Sequence, residues 1–245
     1  MKRFIYLIYG ITAYAVFFAT FLYLAGFVGN VFVPKSIDSG ELCPVVPSVL
    51  ADLGLILLFG IQHSVMARPG FKRWWSVRVP QPIERSTYVL ITCVVLGLLF
   101  WQWRPLPSTI WEVRGDIGEP LLYGMFALGW LMVFTSSFLI DHFDLFGLRQ
   151  VVSYFRGVSY THGPLKTTGF YRWIRHPLML GFLIAFWATP VMTAGHLLFA
   201  AAMSVYIGIG IFLEERDLSV FLGEDYVRYR RGTPMLLPLS RRARG

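Results

Sequence analysis

Long runs of apolar residues, separated by short polar segments, dominate this chain. Five runs cover approximately residues 4–33, 47–67, 86–101, 120–140 and 178–213. A helix needs about 20 apolar residues to cross the ~30 Å hydrocarbon core of a bilayer, and most of these runs are of that order. The first run is too long and uninterrupted for a cleaved signal peptide, so it predicts a retained membrane anchor. The pattern therefore predicts an all-α, polytopic membrane bundle.

The last apolar run predicts two helices folded back on each other. It contains Pro190 and Gly195, two residues that interrupt helices, and we expect the turn at about residues 190–196. The first arm, 178–192, would measure about 22 Å at 1.5 Å per residue. Because this is shorter than the bilayer core, we expect that arm to be tilted, shallow or sheltered by neighbouring helices. The whole chain is thus predicted to have four spans plus a C-terminal helical hairpin.

Basic residues predict the orientation of the bundle. Nineteen of the 22 Lys and Arg residues lie in residues 2–3, 68–85, 141–177 and 214–245. Lys35, Arg104 and Arg114 are the three in the opposite loops. By the positive-inside rule, both termini and the polar motifs are expected to be cytoplasmic, in a bacterial-type inner membrane. We expect the net charge of +8 to attract anionic lipid headgroups and not nucleic acid.

Composition and motif content narrow the class further. The chain is 56% hydrophobic and 17% aromatic, well above the usage of soluble proteins. It has no G-x-G-x-x-G loop of the dinucleotide-binding type and no His/Cys cluster with the spacing of metal ligands, so we expect no metal. We predict two regions, a four-helix transmembrane region over 1–140 and a region over 141–245 in which a cytoplasmic loop, the hairpin and the tail carry the candidate functional residues.

A polar motif brackets the predicted hairpin. Its members, in chain order, are Arg175, His176, Pro177, Glu214, Glu215, Tyr226 and Tyr229. Pro177 suits the first turn of a helix, so the N–H groups there, with the Arg175 guanidinium, could hold a carboxylate. Either glutamate could accept hydrogen bonds from hydroxyl or amino groups. The two tyrosines are three residues apart, can share a helix face, and could flank an aromatic ring.

The same residues have an alternative interpretation. Arg175 and His176 could be interfacial anchors, and the two glutamates could be a solvated helix end. This alternative suits any one of these residues alone. The ordered set, with both halves placed at the same membrane face by the hairpin, favours a binding site.

A second dense polar segment precedes the motif. Asp141, His142, Arg149 and Tyr154 fall within 14 residues and are interleaved with phenylalanines, which suits a small apolar pocket with few polar contacts. The simpler alternative is that these residues contact lipid headgroups. The loop that follows, which contains His162, Gly169 and Tyr171, is expected to join this pocket to the motif at 175–177. A third polar group, around His63 and Glu84, is expected to form helix–helix hydrogen bonds.

The motif from Arg175-His176-Pro177 to Glu214-Glu215 and the two tyrosines resembles the C-terminal region of isoprenylcysteine carboxyl methyltransferases and phospholipid methyltransferases. The chain has Met179 where such motifs usually carry Tyr. The resemblance implies S-adenosylmethionine as cofactor. It further implies that its binding residues are Arg175, His176, Pro177, Tyr171, His162, Gly169, Glu214, Glu215, Tyr226 and Tyr229.

Further motifs give a closer resemblance, to the bacterial methanethiol S-methyltransferases and the related NnrU-type membrane proteins. They are Gln62 to Arg68, Glu84 to Tyr88 and Asp141 to Gln150. This resemblance spans nearly the whole chain and implies an enzyme that converts methanethiol to dimethyl sulfide. Methylation of isoprenylcysteine or phospholipid, and a non-enzymatic NnrU-type role, remain the alternatives.

Methyl transfer to a small thiol requires its thiolate, and such a thiol is mostly protonated at neutral pH, as free cysteine is. A base or a positive electrostatic site is therefore expected. The candidates are His142, Asp141, and Tyr154 acting with Arg149. The sequence does not rank them.

Overall fold

The computed structural model describes residues 1–161, 163 and 165–238, and this part of the chain is mostly helical. The elements are α1 (Lys2–Gly29), α2 (Val45–Ala67), α3 (Pro69–Trp75), α4 (Gln81–Gln102), β1 (Thr109–Glu112), α5 (Gly118–Ile140), α6 (His142–Leu145), α7 (Leu148–Arg156), a 3₁₀ turn (Gly169–Arg172), α8 (Pro177–Trp187), β2 (Val191–Thr193), α9 (Ala194–Leu222) and α10 (Glu224–Gly232). Within the described residues, five helices (α1, α2, α4, α5 and α9) are long and apolar enough to cross a membrane. The predicted all-α polytopic bundle is confirmed.

The C-terminal hairpin is also present, with a shorter first arm than the sequence predicted. Helix α8 has 11 residues and ends at Trp187, and α9 begins at Ala194. The Thr193 side chain accepts a hydrogen bond from the His196 N–H at 3.1 Å and so caps α9. Between the two helices, β2 pairs antiparallel with β1, with Thr109 opposite Thr193. This strand pair was not predicted. Helix α8 is only about 16 Å long, and the strand pair occupies the end of the bundle that α8 does not reach.

Helix α8 is sheltered because it lies directly against α5. A Cβ atom built on Gly129 would lie 2.7 Å from the Ala185 nitrogen and 2.8 Å from the Gly181 oxygen. A Cβ on Gly181 would lie 2.8 Å from the Gly129 oxygen. Glycine on both helices therefore allows the two backbones to touch, as small residues do between membrane helices. Of the three arrangements expected for this arm, the sheltered one is observed.

The core of the bundle is aromatic and joins most of the long helices. Phe27 of α1 and Phe199 of α9 both meet Trp103 edge-on, with ring centroids 6.0 and 5.8 Å apart. Phe186 of α8 lies 5.1 Å from the Phe199 ring. The Trp103 indole N–H donates to the Ile37 carbonyl at 3.0 Å, so its polar atom is satisfied inside the core.

The polar motifs collect at one end of the bundle, called the motif face below. The helix ends at this face are Lys2, Ala67, Gln81, Ile140, Pro177 and Leu222. Contacts across the face join distant parts of the chain. Arg68 pairs with Asp217 at 2.8 Å, and the Arg85 side chain donates to the Leu145 carbonyl at 2.7 Å. The up-and-down path of the helices thus brings segments at 62–85, 141–177 and 214–238 to one surface.

The glycine contact between α5 and α8 makes a testable prediction. Gly129→Ala should destabilise the protein by about 1–3 kcal/mol, because the added methyl would meet backbone atoms that cannot move aside. Gly124→Ala on the same helix is the matched control, since a Cβ there meets nothing within 4 Å. That control should be neutral or stabilising by up to ~1 kcal/mol. Thermal unfolding in detergent measures both, and equal midpoints for the two variants would contradict the close packing.

Candidate active site

A buried carboxylate organises the motif face. One oxygen of Glu215, on α9, accepts hydrogen bonds from Arg175 Nε at 2.7 Å and from His176 Nε2 at 3.1 Å. The other lies 3.2 Å from Arg230 Nε, on α10. Glu215, Arg175 and His176 are each only 6% exposed. Such a buried charge is stable only when it is paired, and here three residues from two separate segments pair with it.

Arg175 is fully engaged by the protein. Besides its bonds to Glu215, its Nη1 donates to the Arg230 carbonyl at 3.0 Å and to the Thr233 carbonyl. The sequence suggested that this guanidinium could hold a ligand carboxylate. In the structure its N–H groups instead hold α10 and the tail that follows against the start of α8.

The tail also meets the backbone at the start of α8. The Arg175 N–H donates to the Pro234 carbonyl at 2.9 Å, and the His176 N–H donates to the Met235 carbonyl at 3.1 Å. Pro177 has no N–H and occupies the first turn of α8. The N–H groups just before this helix, which the sequence assigned to an anion, are therefore taken by tail carbonyls.

Glu214 differs from its neighbour because consecutive residues on a helix point in different directions. Its side chain is 45% exposed, whereas that of Glu215 is 9% exposed. One Glu214 oxygen lies 3.8 Å from His176 Nδ1, which is too long for a hydrogen bond. Glu214 thus has a carboxylate available to a ligand, beside the buried cluster that Glu215 holds together.

Two tyrosines on α10 lie beside the Glu215 cluster. The Tyr229 hydroxyl donates to the Tyr171 carbonyl at 2.5 Å. The Tyr226 ring is 2% exposed, and its buried hydroxyl has no hydrogen-bond partner among the described residues. Burial raises the pKa of both phenols to about 12, so both keep their protons at neutral pH. The Tyr226 hydroxyl is therefore a buried donor whose hydrogen bond the described residues do not use.

The 3₁₀ turn joins this cluster to the end of α5. Gly169 has a φ of 58°, and a Cβ on it would lie 2.8 Å from Leu139, so glycine suits this position. Tyr171 is buried, its hydroxyl lies 3.5 Å from the Ser136 carbonyl, and burial raises its pKa. His162, which the sequence placed in the cofactor site, lies outside the described residues.

At the other side of the α5 end, Asp141 and Arg149 form an ion pair. The second Asp141 oxygen accepts the Asp144 N–H at 3.1 Å and so caps α6. Both oxygens of this carboxylate are thus already engaged. Arg149, with 40% of its side chain exposed, is the more accessible member of the pair.

His142 is enclosed by aromatic rings and is 3% exposed. Its Nε2 lies 2.8 Å from the Tyr14 hydroxyl of α1, and its Nδ1 lies 2.8 Å from Ser137 Oγ of α5. Phe138 stacks on its face with centroids 4.1 Å apart and an interplanar angle of 7°. Other rings around it are Phe17, Phe134, Phe143 and Phe146. Burial lowers the pKa of His142, so the imidazole is neutral at pH 7.

Tyr154 is not brought to Arg149. Its ring lies 5.4 Å from that of Tyr6, and the Arg3 guanidinium lies 5.9 Å from its centroid, both on α1. Tyr154 lies five positions after Arg149 on α7, so at 3.6 residues per turn their side chains point about 140° apart. The structure therefore brings Asp141 and Arg149 together and leaves Tyr154 on the α1 side of α7.

The third polar group lies between α2, α4 and α9. The His63 ring packs beside Phe59, Tyr88 and Tyr206, with centroids 5.4, 5.2 and 6.4 Å away, and its buried Nδ1 has no hydrogen-bond partner in residues 1–161, 163 and 165–238. Within that part of the chain, Nδ1 therefore does not form the expected interhelical hydrogen bond. Tyr88 instead donates to the His63 carbonyl at 3.3 Å.

Sequence reasoning missed several residues that shape the site. They are Tyr14, Ser137, Arg230, Thr233 and the tail carbonyls at 234 and 235. Tyr14 carried a detectable signal, since a polar group within an apolar span requires a partner. The tail carbonyls carried none, because every residue has a carbonyl and only the fold decides which one is used.

Comparisons with known proteins identify close relatives. The chain is 52% identical over 242 residues to a methanethiol S-methyltransferase of Mycobacterium tuberculosis, covering 99% of both chains. It is 54% identical over 232 residues to methanethiol S-methyltransferase 2 of Bradyrhizobium diazoefficiens, covering 95% of this chain and 89% of that one. Human nurim is 33% identical over 178 residues, 68% of this chain and 66% of nurim. No family model matches the chain. No solved structure matches it.

The two adjacent glutamates should respond differently to substitution. Glu215→Gln should destabilise the protein by about 3–5 kcal/mol, because it leaves a buried Arg175 charge unpaired. Glu214→Gln is the matched control and should change stability by less than about 0.5 kcal/mol, because the side chain is half exposed. Thermal unfolding in detergent, together with limited proteolysis of the tail, measures both. Equal stability of the two variants would show that the Glu215 cluster does not hold the fold together.

Proposed function

Because the chain belongs to the methanethiol S-methyltransferase family, we propose that it transfers a methyl group from S-adenosylmethionine to methanethiol, giving dimethyl sulfide. The near-full-length match to relatives of that name carries this proposal. The chain is a polytopic membrane methyltransferase; the donor and the residues that bind both substrates are the proposed part.

The motif face has the chemistry that such a donor needs. S-adenosylmethionine, when bound, supplies a methyl group attached to a positively charged sulfur, which a thiolate can displace. Its other parts are a carboxylate, an ammonium group, ribose hydroxyls and an adenine. The Glu214 carboxylate can accept from the ammonium or the ribose, and the Tyr226 hydroxyl can donate to an acceptor. These two groups fit the donor because each has hydrogen-bonding capacity that the described part of the chain does not use.

We assign supporting roles to the rest of the set. Glu215, Arg175 and His176 hold α8, α9 and the tail in register, so they position Glu214 and Tyr226. The remaining proposed donor-binding residues are Pro177, Tyr171, Gly169, Tyr229 and His162. Pro177 fixes the start of α8, and Tyr171 with Tyr229 supplies apolar and aromatic surface for the adenine.

The acceptor requires a small apolar pocket, because methanethiol has one carbon and one sulfur and offers few groups to recognise. We place it at the aromatic enclosure of His142, with Asp141 and Arg149 at its edge. Neutral His142 acts as the base that takes the thiol proton. The alternative is that Arg149, whose side chain is 40% exposed, stabilises the thiolate electrostatically without Tyr154, which lies on the α1 side of α7.

We further propose that the motif face is cytoplasmic, because the basic residues concentrate there. The short helix α3 supports contact with lipid at this level. Phe71, Trp74 and Trp75 pack together on it beside Lys72 and Arg73. Aromatic and basic residues of this kind favour the headgroup region of a bilayer. In this proposal 1–140 is the membrane scaffold, and 141–245 supplies most of the site.

A direct assay tests the reaction. Purified protein in detergent, given S-adenosylmethionine and methanethiol, should release dimethyl sulfide into the headspace, where gas chromatography detects it. Omission of donor, thiol or protein should each abolish the signal. An isoprenylated cysteine and phosphatidylethanolamine are tested as alternative acceptors with the donor labelled in its methyl group. Methylation of either alternative acceptor without formation of dimethyl sulfide would reject methanethiol as the acceptor. No methylation of any acceptor would reject the proposed methyltransferase activity.

Glu214 should determine donor affinity. Glu214→Gln removes a charge-assisted hydrogen bond worth about 1.5–3 kcal/mol, so affinity for S-adenosylhomocysteine should fall about tenfold or more. Glu224→Gln is the control, because Glu224 is an exposed acidic residue in the first turn of α10. Calorimetry measures binding without turnover, and unchanged affinity in Glu214→Gln would remove Glu214 from the site.

The pH dependence of turnover separates the two proposed ways of activating the thiol. If neutral His142 is the base, turnover is constant through neutral pH and falls as the imidazole gains a proton. Because burial lowers its pKa, this fall should be centred below the ordinary value of about 6.5. If Arg149 stabilises the thiolate instead, turnover should keep rising well above pH 7, and His142→Gln should be mild. Profiles of wild type, His142→Gln and Arg149→Gln, measured with saturating donor, decide between them, and Tyr154→Phe is the control that should match wild type.

A further inference from the structure

We propose that Tyr14, on the first membrane-spanning helix, completes the acceptor site and relays the thiol proton to His142. This inference rests on the proposed function and adds a residue to it. In the relay, the Tyr14 oxygen meets the thiol, and His142 is the base behind it. The direction of the relay is set by the hydrogens that Ser137, His142 and Tyr14 carry.

Ser137 fixes the tautomer of His142. Ser137 Oγ lies 2.6 Å from the Phe134 carbonyl, which can only accept, so the Ser137 hydroxyl donates its single hydrogen there. The 2.8 Å contact between Ser137 Oγ and His142 Nδ1 then requires a hydrogen on Nδ1. A neutral imidazole carries one N–H, so the lone pair is on Nε2.

Tyr14 donates a hydrogen bond to that lone pair. Its hydroxyl lies 2.8 Å from His142 Nε2, and it must donate, because Nε2 carries no hydrogen. The imidazole is 3% exposed and enclosed by rings, whereas Tyr14 is only partly buried. A thiol therefore cannot reach the nitrogen directly while Tyr14 is in place. It can reach the phenol oxygen, which has lone pairs left to accept an S–H.

The proton balance is simple. The thiol S–H breaks and its proton joins the Tyr14 oxygen, while the Tyr14 O–H breaks and its proton joins His142 Nε2. The products are a thiolate, a neutral phenol and an imidazolium whose Nδ1–H remains bonded to Ser137. The Phe138 ring, stacked 4.1 Å from the imidazole, presents its negative face to the new cation. After each turnover the proton leaves by the reverse route: the Nε2 proton moves to the Tyr14 oxygen as the Tyr14 hydroxyl proton passes to solvent.

The charged groups near His142 already have partners, either in an ion pair or in a hydrogen bond. On its own segment, Asp141 is bound to Arg149 of α7, and Asp144 accepts from Gln150 at 3.3 Å. The described contacts from α1 and α5 are hydroxyls and aromatic rings. With no free carboxylate in contact among these groups, the two hydroxyls and the stacked ring are what determine where the proton resides.

The test combines turnover with a spectroscopic readout. Tyr14→Phe keeps the ring and removes the hydroxyl, so kcat should fall about 100-fold, within the usual range for acid–base groups, with donor affinity unchanged. Tyr9→Phe is the control, since the Tyr9 hydroxyl lies on the same helix and contacts Thr87 at 3.0 Å. It should keep wild-type turnover and pH profile.

Nitrogen-15 NMR of histidine-labelled protein in detergent reads the tautomer without substrate. Wild-type His142, identified by its loss in His142→Gln, should show a protonated Nδ1 and a hydrogen-bonded, unprotonated Nε2. Tyr14→Phe should move the Nε2 signal towards that of a free lone pair, and Ser137→Ala should produce a mixture of tautomers. Wild-type turnover in Tyr14→Phe would overturn the relay, as would an Nε2–H tautomer in the wild type. If wild type makes no dimethyl sulfide, the proposed function fails and takes the relay with it, while the spectrum still decides whether Tyr14 donates to His142.

Discussion

The fold depends on the pairing of one buried carboxylate. Glu215 is removed from water and cannot remain charged there alone. The chain satisfies it with Arg175 from the start of α8, His176 beside it and Arg230 from α10. Because Arg175 is 40 residues from Glu215 and 55 residues from Arg230, the pairing requires the hairpin to close and α10 to fold back over its open end. Arg175 then uses its remaining N–H groups on the carbonyls of that returning segment.

Adjacent glutamates divide two tasks between them. Glu215 faces the protein, and Glu214, one residue earlier on the same helix, keeps much of its surface outside. A single carboxylate could not both neutralise buried cations and remain available to a ligand. The 100° rotation between neighbouring helical residues separates the two roles without any change in the path of the chain. The rigid cluster thus supports an exposed acceptor at a defined place.

The end of α5 connects the proposed donor and acceptor halves of the site. Tyr171 and Gly169 pack on one side of it, and Ser137 and His142 lie on the other. Helix α5 is itself fixed by its backbone contact with α8 at Gly129 and Gly181. A movement of α8 would therefore displace residues in both halves. This arrangement suits a reaction in which two small groups must be aligned closely.

The sequence by itself determined the class of the fold and the membership of the motifs. Apolar runs long enough to span a bilayer gave the helices, and Pro190 and Gly195 indicated the hairpin, because these are local properties of the chain. Motif spacing indicated that 175–177 and 214–215 meet. Tertiary structure alone decided which glutamate is buried, that Arg175 binds the tail, that Tyr154 faces α1, and that Tyr14 and Ser137 take both nitrogens of His142. The reason is physical, because a hydrogen-bond partner is determined by which groups are close after the helices have packed. Tyr14 and His142 are 128 positions apart, and a single sequence contains no information that they are neighbours.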